Sequence, residues 1–165
     1  VDLRPIFMTR RQWLQSAVVA SWAGAGQAAE QALPMPASLP AALAGALQKG
    51  SPLLVLVSLE GCPFCKMARE NYLVPLQGQA GLSIVQVDMH NQQLVQDFGG
   101  VSQTQDQWIR SWGIKVAPTV LFLGRGGVEV AERLVGGYLA DFYGAYLDDR
   151  LRTARAAVAR SLAGT

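Results

Sequence analysis

The sequence predicts an α/β fold with a central mixed sheet flanked by helices. Three observations predict it. Leu53-Leu54-Val55-Leu56-Val57 is a short, continuously apolar run, as expected for a strand covered on both faces, and Leu82 to Val87 alternates well enough for a second buried strand. Segments with helical spacing precede and separate them, so these two strands are expected to be parallel. Further on, Thr119 to Leu123 and Val128 to Leu134 are two strand-like runs joined by Gly124-Arg125-Gly126-Gly127, which is turn chemistry and implies a hairpin. A parallel start with a terminal hairpin makes the sheet mixed. The 165 residues suffice for one ordinary domain and not comfortably for two.

The elements follow in order. Residues 30–38 carry Pro34 and Pro36 among small residues and read as a linker. Leu39 to Leu47 has apolar residues at helical spacing, and Gly50 stops it. After the first strand, Cys62 to Tyr72 is helical in pattern, and Pro75 is expected to end or kink that helix. Asn91 to Gln105 is polar, contains Gly99-Gly100, and reads as a loop with helical turns. Thr104 to Trp112 predicts a short helix stopped by Gly113. A final helix is expected over about 139–158, with Leu139, Phe142, Tyr143, Tyr146 and Leu147 as its apolar stripe. No internal repeat is present.

The chemistry is concentrated in Gly61-Cys62-Pro63-Phe64-Cys65, which holds the only two cysteines. They stand where the first strand gives way to a helix. A helix N-terminus has unpaired N–H groups and partial positive charge, which favour a thiolate over a thiol. The thiolate is the species that attacks a disulfide, so the placement points to thiol–disulfide exchange. Other readings weigh less. A structural zinc site needs four ligands, and two Cys with one His would have to recruit carboxylates. Covalent haem attachment needs His after the second Cys, where this chain has Lys66. A purely structural disulfide would close too short a loop to gain much from chain entropy. No metal and no cofactor are therefore expected.

The strand, the Cys-x-x-Cys at a helix start, Gly113-Ile114-Lys115-Val116-Ala117-Pro118-Thr119 and the hairpin with Gly124 and Gly127 together resemble the thioredoxin-like family, from about Leu39 to Ala159. The resemblance implies a thiol:disulfide oxidoreductase. It makes Cys62 the nucleophile and Cys65 the resolving thiol. It maps Pro118 onto the family's cis-proline and gives the Ala117 backbone a substrate-binding role. Pro63 and Phe64 depart from the Gly-Pro of common thioredoxins, stand closer to glutaredoxins, and are candidates for substrate contact. The family's buried aspartate in the preceding strand is replaced by Leu56. Glu60 is the nearest preceding carboxylate and Lys66 the nearest cation; both also fit an ordinary solvated surface. His90, the sole histidine, reads as a solvated loop residue. Trp108 and Trp112, at i and i+4, read as core, with a wall beside the site as the alternative.

The N-terminus reads as an export signal over residues 1–29. Arg10-Arg11-Gln12-Trp13-Leu14 resembles a twin-arginine motif, an apolar stretch follows, and small residues near Ala25 to Ala29 stand at cleavage spacing. Val1 to Phe7 would be an upstream extension. An uncleaved signal would leave a membrane anchor instead. The domain is expected over 39–160. Without residues 1–29 the chain has 11 basic and 11 acidic residues, so nothing suggests nucleic acid. The expected setting is the periplasm, with disulfide-bearing exported proteins as substrates, a membrane electron-donor protein as partner, and a monomer as the working form. The 52 residues between Cys65 and Pro118 leave room for only a modest insertion, which disfavours the large oxidases; a dithiol oxidase or isomerase, or a non-catalytic binding module, remains the alternative.

Overall fold

The computed structural model describes residues 32–78, 82–137 and 140–164. The elements are α1 (Leu39–Gln48), β1 (Leu53–Ser58), α2 (Pro63–Met67), a π-helical segment (Ala68–Leu73) leading into α3 (Val74–Gln77), β2 (Ser83–Asp88), β3 (Leu94–Gln96), β4 (Ser102–Thr104), α4 (Gln105–Ser111), β5 (Thr119–Leu123), a 3-10 turn (Arg125–Gly127), β6 (Glu129–Val135) and α5 (Ala140–Ala163). The main sheet has the order β2-β1-β5-β6. β1 is parallel to β2 and antiparallel to β5, and β5 is antiparallel to β6, so the sheet is mixed as expected.

Every residue of β1 is buried. Alternation of side chains sends Leu53, Val55 and Val57 into one cluster with Leu39 and Leu43 of α1 and Trp108 and Ile109 of α4. Leu54 and Leu56 point the other way, into a cluster with Ala68, Leu73 and the α5 residues Tyr143, Leu147 and Leu151. Helices thus cover both faces, which is why β1 reads as continuously apolar.

Local signals set the boundaries. The Ser38 hydroxyl caps α1 by accepting the Ala41 N–H at 3.3 Å, and Gly50 at φ 70° turns the chain out of the helix. The Thr104 side chain and Gln107 form a capping box at the start of α4. The first turn of α4 also fixes the loop after β2. The Gln105 side chain accepts the Asp88 N–H at 2.7 Å, and the Asp106 carboxylate accepts the His90 N–H at 3.1 Å. His90 is held there at φ 64°.

Three expectations need correction. Pro75 does not end the helix: the α-helix widens into a π segment and resumes as α3, with Pro75 in the first turn, where a missing N–H costs little. The polar stretch 91–105 contains a small hairpin, β3–β4, whose turn is tied by the Asp97 carboxylate accepting from Gly99 and Val101. Its three-residue strands bury only Val95, too little to leave an alternating pattern. In α5 the buried stripe is Tyr143, Leu147, Leu151, Ala154 and Val158, while Phe142 and Tyr146 are exposed; Leu139 lies outside the described residues. The helix also continues to Ala163.

Residues 32–38 lie along the sheet: Leu33 and Pro36 are buried, and Pro34 and Ala37 carbonyls accept the N–H groups of Gln86 and Gln96. The export signal expected at 1–29 lies outside the described residues. Among those described, no helix is long and apolar enough to cross a membrane.

Trp108 is wholly buried between α4, α1 and β1. Trp108→Ala should cost roughly 3–5 kcal/mol of unfolding free energy; denaturant unfolding of the purified variant measures it, and a loss under 1 kcal/mol contradicts the packing described.

Candidate active site

The site begins where β1 ends. Gly61 adopts φ 73°, a turn that a side chain would strain, and delivers the chain into α2. Cys62 is the N-cap of α2 with extended backbone angles, and Pro63 follows in the first turn, where no N–H is needed. The Cys62 sulfur accepts the Cys65 N–H at 3.2 Å. Neither cysteine is in a disulfide; Cys62 is half-buried and Cys65 is 1 % exposed.

The two thiols are therefore unlike. Burial pushes the Cys65 thiol up to about 12, with Cys62 adding to the rise; the Leu59 N–H and the Ser58 hydroxyl, both partners of its sulfur, pull the other way without prevailing.

On one side of Cys62 stands the Ala117–Pro118 segment. The Cys62 sulfur is 4.0 Å from the Ala117 carbonyl oxygen, and the Ala117–Pro118 peptide bond is cis. The Gly136 N–H donates to the Pro118 carbonyl at 2.7 Å, and the Thr119 hydroxyl donates to Val116 at 2.7 Å, so both flanks of the segment are tied down. Gly137 closes this side: a Cβ there would lie 3.1 Å from Phe64 Cβ and 3.4 Å from Pro118 Cγ. Phe64 is half exposed beside it and Pro63 is exposed. The structure thus brings Cys62, Cys65, Pro63, Phe64, Ala117 and Pro118 to one place.

On the other side lies an open cavity of about 950 Å³, lined by Glu60, Cys62, Lys66, Asp88 and His90 among others. His90 has a solvated side chain, as expected, 3.5 Å from Asp106. Trp108 and Trp112 stack 5.2 Å apart on the α1 side of the sheet and do not line the cavity. Leu56 is wholly buried in the apolar cluster under α5. Among the described residues no three His, Cys, Asp or Glu side chains gather as a metal site. Sequence reasoning missed Ser58, Asp88 and Gly137. The signal for Ser58 was its place in the Leu54, Leu56, Ser58 alternation; Gly137 was read only as a turn before a helix.

The raised Cys65 thiol has a signed consequence. The fold favours the neutral form, so the stabilisation is complete below the ordinary thiol value of 9.0 and is lost as pH rises through about 12. The denaturation midpoint of the reduced protein should fall more steeply above pH 9 than that of Cys65→Ala; parallel curves would contradict the burial of an un-ionised thiol.

The sequence matches the thioredoxin-like domain family over residues 39–151. No curated protein matches it. Solved structures similar to it include Trxlp from Edwardsiella tarda EIB202, 27% identical, covering 67% of this chain and 91% of that one, with a TM-score of 0.46. Thioredoxin f from spinach chloroplast is 17% identical, with 74% and 96% covered and a TM-score of 0.49. A thioredoxin from Thermus thermophilus is 21% identical, with 74% and 85% covered and a TM-score of 0.48. With its domain match spanning most of the described chain, and a Cys-x-x-Cys pair at the start of α2, the chain belongs to the thioredoxin-like family.

Proposed function

We propose that the chain is a thiol:disulfide oxidoreductase that reduces disulfides in exported proteins. The observation that carries this reading is the asymmetry of the pair: Cys62 is accessible and accepts an N–H at 3.2 Å, whereas Cys65 is buried one helical turn behind it. Cys62 as thiolate attacks one sulfur of a substrate disulfide. The S–S bond breaks, one substrate sulfur leaves as a thiol, and a mixed disulfide forms. Cys65 then attacks Cys62, the second substrate sulfur leaves, and the pair ends as a disulfide. Two electrons have passed to the substrate. A donor dithiol, which we assign to a membrane electron-donor protein, returns them. The same sulfurs run in reverse would make an oxidase.

The exposed Phe64 and the Ala117 backbone beside Cys62 supply the substrate contacts in this reading. Periplasmic location rests on Arg10-Arg11 and the apolar stretch that follows. Replacing both arginines by Lys should block export, and unchanged export of that variant would count against the twin-arginine route.

Cys65→Ala should accumulate mixed disulfides through Cys62, because the resolving thiol is gone, and turnover should fall at least 100-fold. Reduction of a protein disulfide by a dithiol reductant, with and without the protein, measures turnover. Non-reducing gels measure trapping. Equal trapping through Cys65 in Cys62→Ala would reverse the assignment, and wild-type protein without any catalysis would leave a binding module.

A further inference from the structure

The buried thiol poses a problem of proton transfer. Cys65 must lose its proton before it can attack Cys62, yet it is 1 % exposed and packed where the sheet face is apolar. That face is formed by alternate residues of β1 and β2, in the register Leu54 with Ile84, Leu56 with Gln86, and Ser58 with Asp88. The β1 members Leu54 and Leu56 are hydrocarbon; Gln86 brings the first polar atoms from β2, and only at the last pair are both strands polar. Ser58 is itself 2 % exposed. Both Ser58 and Asp88 line the cavity that opens beside Cys62, and Asp88 is oriented by the Gln86 amide, which donates to its carboxylate at 2.8 Å.

We propose that Ser58 and Asp88 form the proton outlet of Cys65, Ser58 relaying the proton from the thiol and Asp88 accepting it on the cavity side. This rests on the oxidoreductase reading above. The thiol proton passes to the Ser58 oxygen as the Ser58 proton passes, directly or through cavity water, to the Asp88 carboxylate. The Cys65 thiolate attacks Cys62, the Cys62–substrate bond breaks, and the departing substrate thiolate takes up a proton from solvent. Asp88 returns its proton to the cavity, and nothing is consumed beyond the exchange itself.

Other groups around these atoms serve less well. The Tyr143 hydroxyl from α5 is pushed up by burial, so it is an acid at neutral pH and not a base. Cys62 is engaged in the mixed disulfide. Leu56 offers no polar atom. Of the remaining charged side chains lining the cavity, Lys66 on α2 and Arg69 on the π-helical segment are cations, and His90 is largely solvated and oriented towards Asp106. Glu60 is exposed on the loop before α2 and has no register partner in β1. Asp88 is the carboxylate placed beside Ser58 by the sheet. Asp88 touches no reacting sulfur in this scheme; it acts through Ser58.

A chromogenic aryl disulfide separates the two steps in one stopped-flow trace. The first release of chromophore reports attack by Cys62, and the second reports attack by Cys65. Ser58→Ala and Asp88→Asn should leave the first release unchanged and slow the second about 100-fold at pH 7, the low end of the span typical of lost acid–base assistance. The deficit should shrink as pH rises and on addition of imidazole as an external base. Asp88→Glu and Ser58→Thr should restore the second release, and Glu60→Gln should match wild type. A second release at wild-type rate in both variants overturns the proposal. So does a deficit that neither pH nor imidazole relieves, which would mark a structural role. Absence of the first release in the wild-type protein would instead defeat the oxidoreductase reading.

Discussion

The structure depends on the burial of β1. Six residues without an exposed side chain can only be a central strand, hydrogen-bonded on both edges and covered on both faces. The register of its neighbours then fixes what meets at its end. β5 runs antiparallel with Thr119 opposite Val57, so the residues entering β5, Ala117 and Pro118, lie beside the residues leaving β1. β2 runs parallel with Asp88 opposite Ser58, so its last residue arrives at the same sheet end. Three segments remote in sequence converge on Cys62 because one strand is central.

Chemical difference between two identical thiols follows from a helix one turn long. Cys62 is the cap, outside the helical hydrogen-bond pattern, so its sulfur can receive an N–H and still face solvent. Cys65 is inside, on the turn that packs toward the apolar cluster under α5. Moving a charge into such a place is costly, and the thiol stays protonated. Gly137 keeps the other side of the site close-fitting, since a Cβ there would press tightly on Phe64 and Pro118. The pair needs no cofactor to become unequal; position in the helix and depth suffice.

The main-sheet strands, most of the helices and the cysteine pair were legible because each rests on local chemistry: an apolar run, apolar residues at helical spacing stopped by a glycine, a fixed Cys spacing. What escaped the sequence depends on pairing or on context. The β3–β4 hairpin buries one side chain, so it carries no hydrophobic period. Pro75 breaks a regular helix but not one that has widened into a π segment ahead of it. Phe142 and Tyr146 share helical spacing with buried residues, yet the sheet reaches only the stripe through Tyr143 and Leu147. Of the site, Cys62, Cys65 and Pro118 stood in motifs. Asp88 could be placed beside Ser58 only once the register of β1 and β2 was known.

Polarity at that sheet end is confined to one face. Val57 and Val87, pointing toward α1, remain wholly buried hydrocarbon to the end of their strands. Ser58, Gln86 and Asp88 point toward α2. Burying an amide such as that of Gln86 is costly unless its groups are paired, and here both ends are: the oxygen lies 3.5 Å from Arg69 and the nitrogen donates to Asp88 at 2.8 Å. A core of minimum cost would have carried hydrocarbon on this face as well. The polar side chains sit on the face that holds the buried thiol and open onto the cavity that holds the accessible one. A purely apolar face would pack as well or better, but it would leave Cys65 with no neighbouring group through which its proton could reach water.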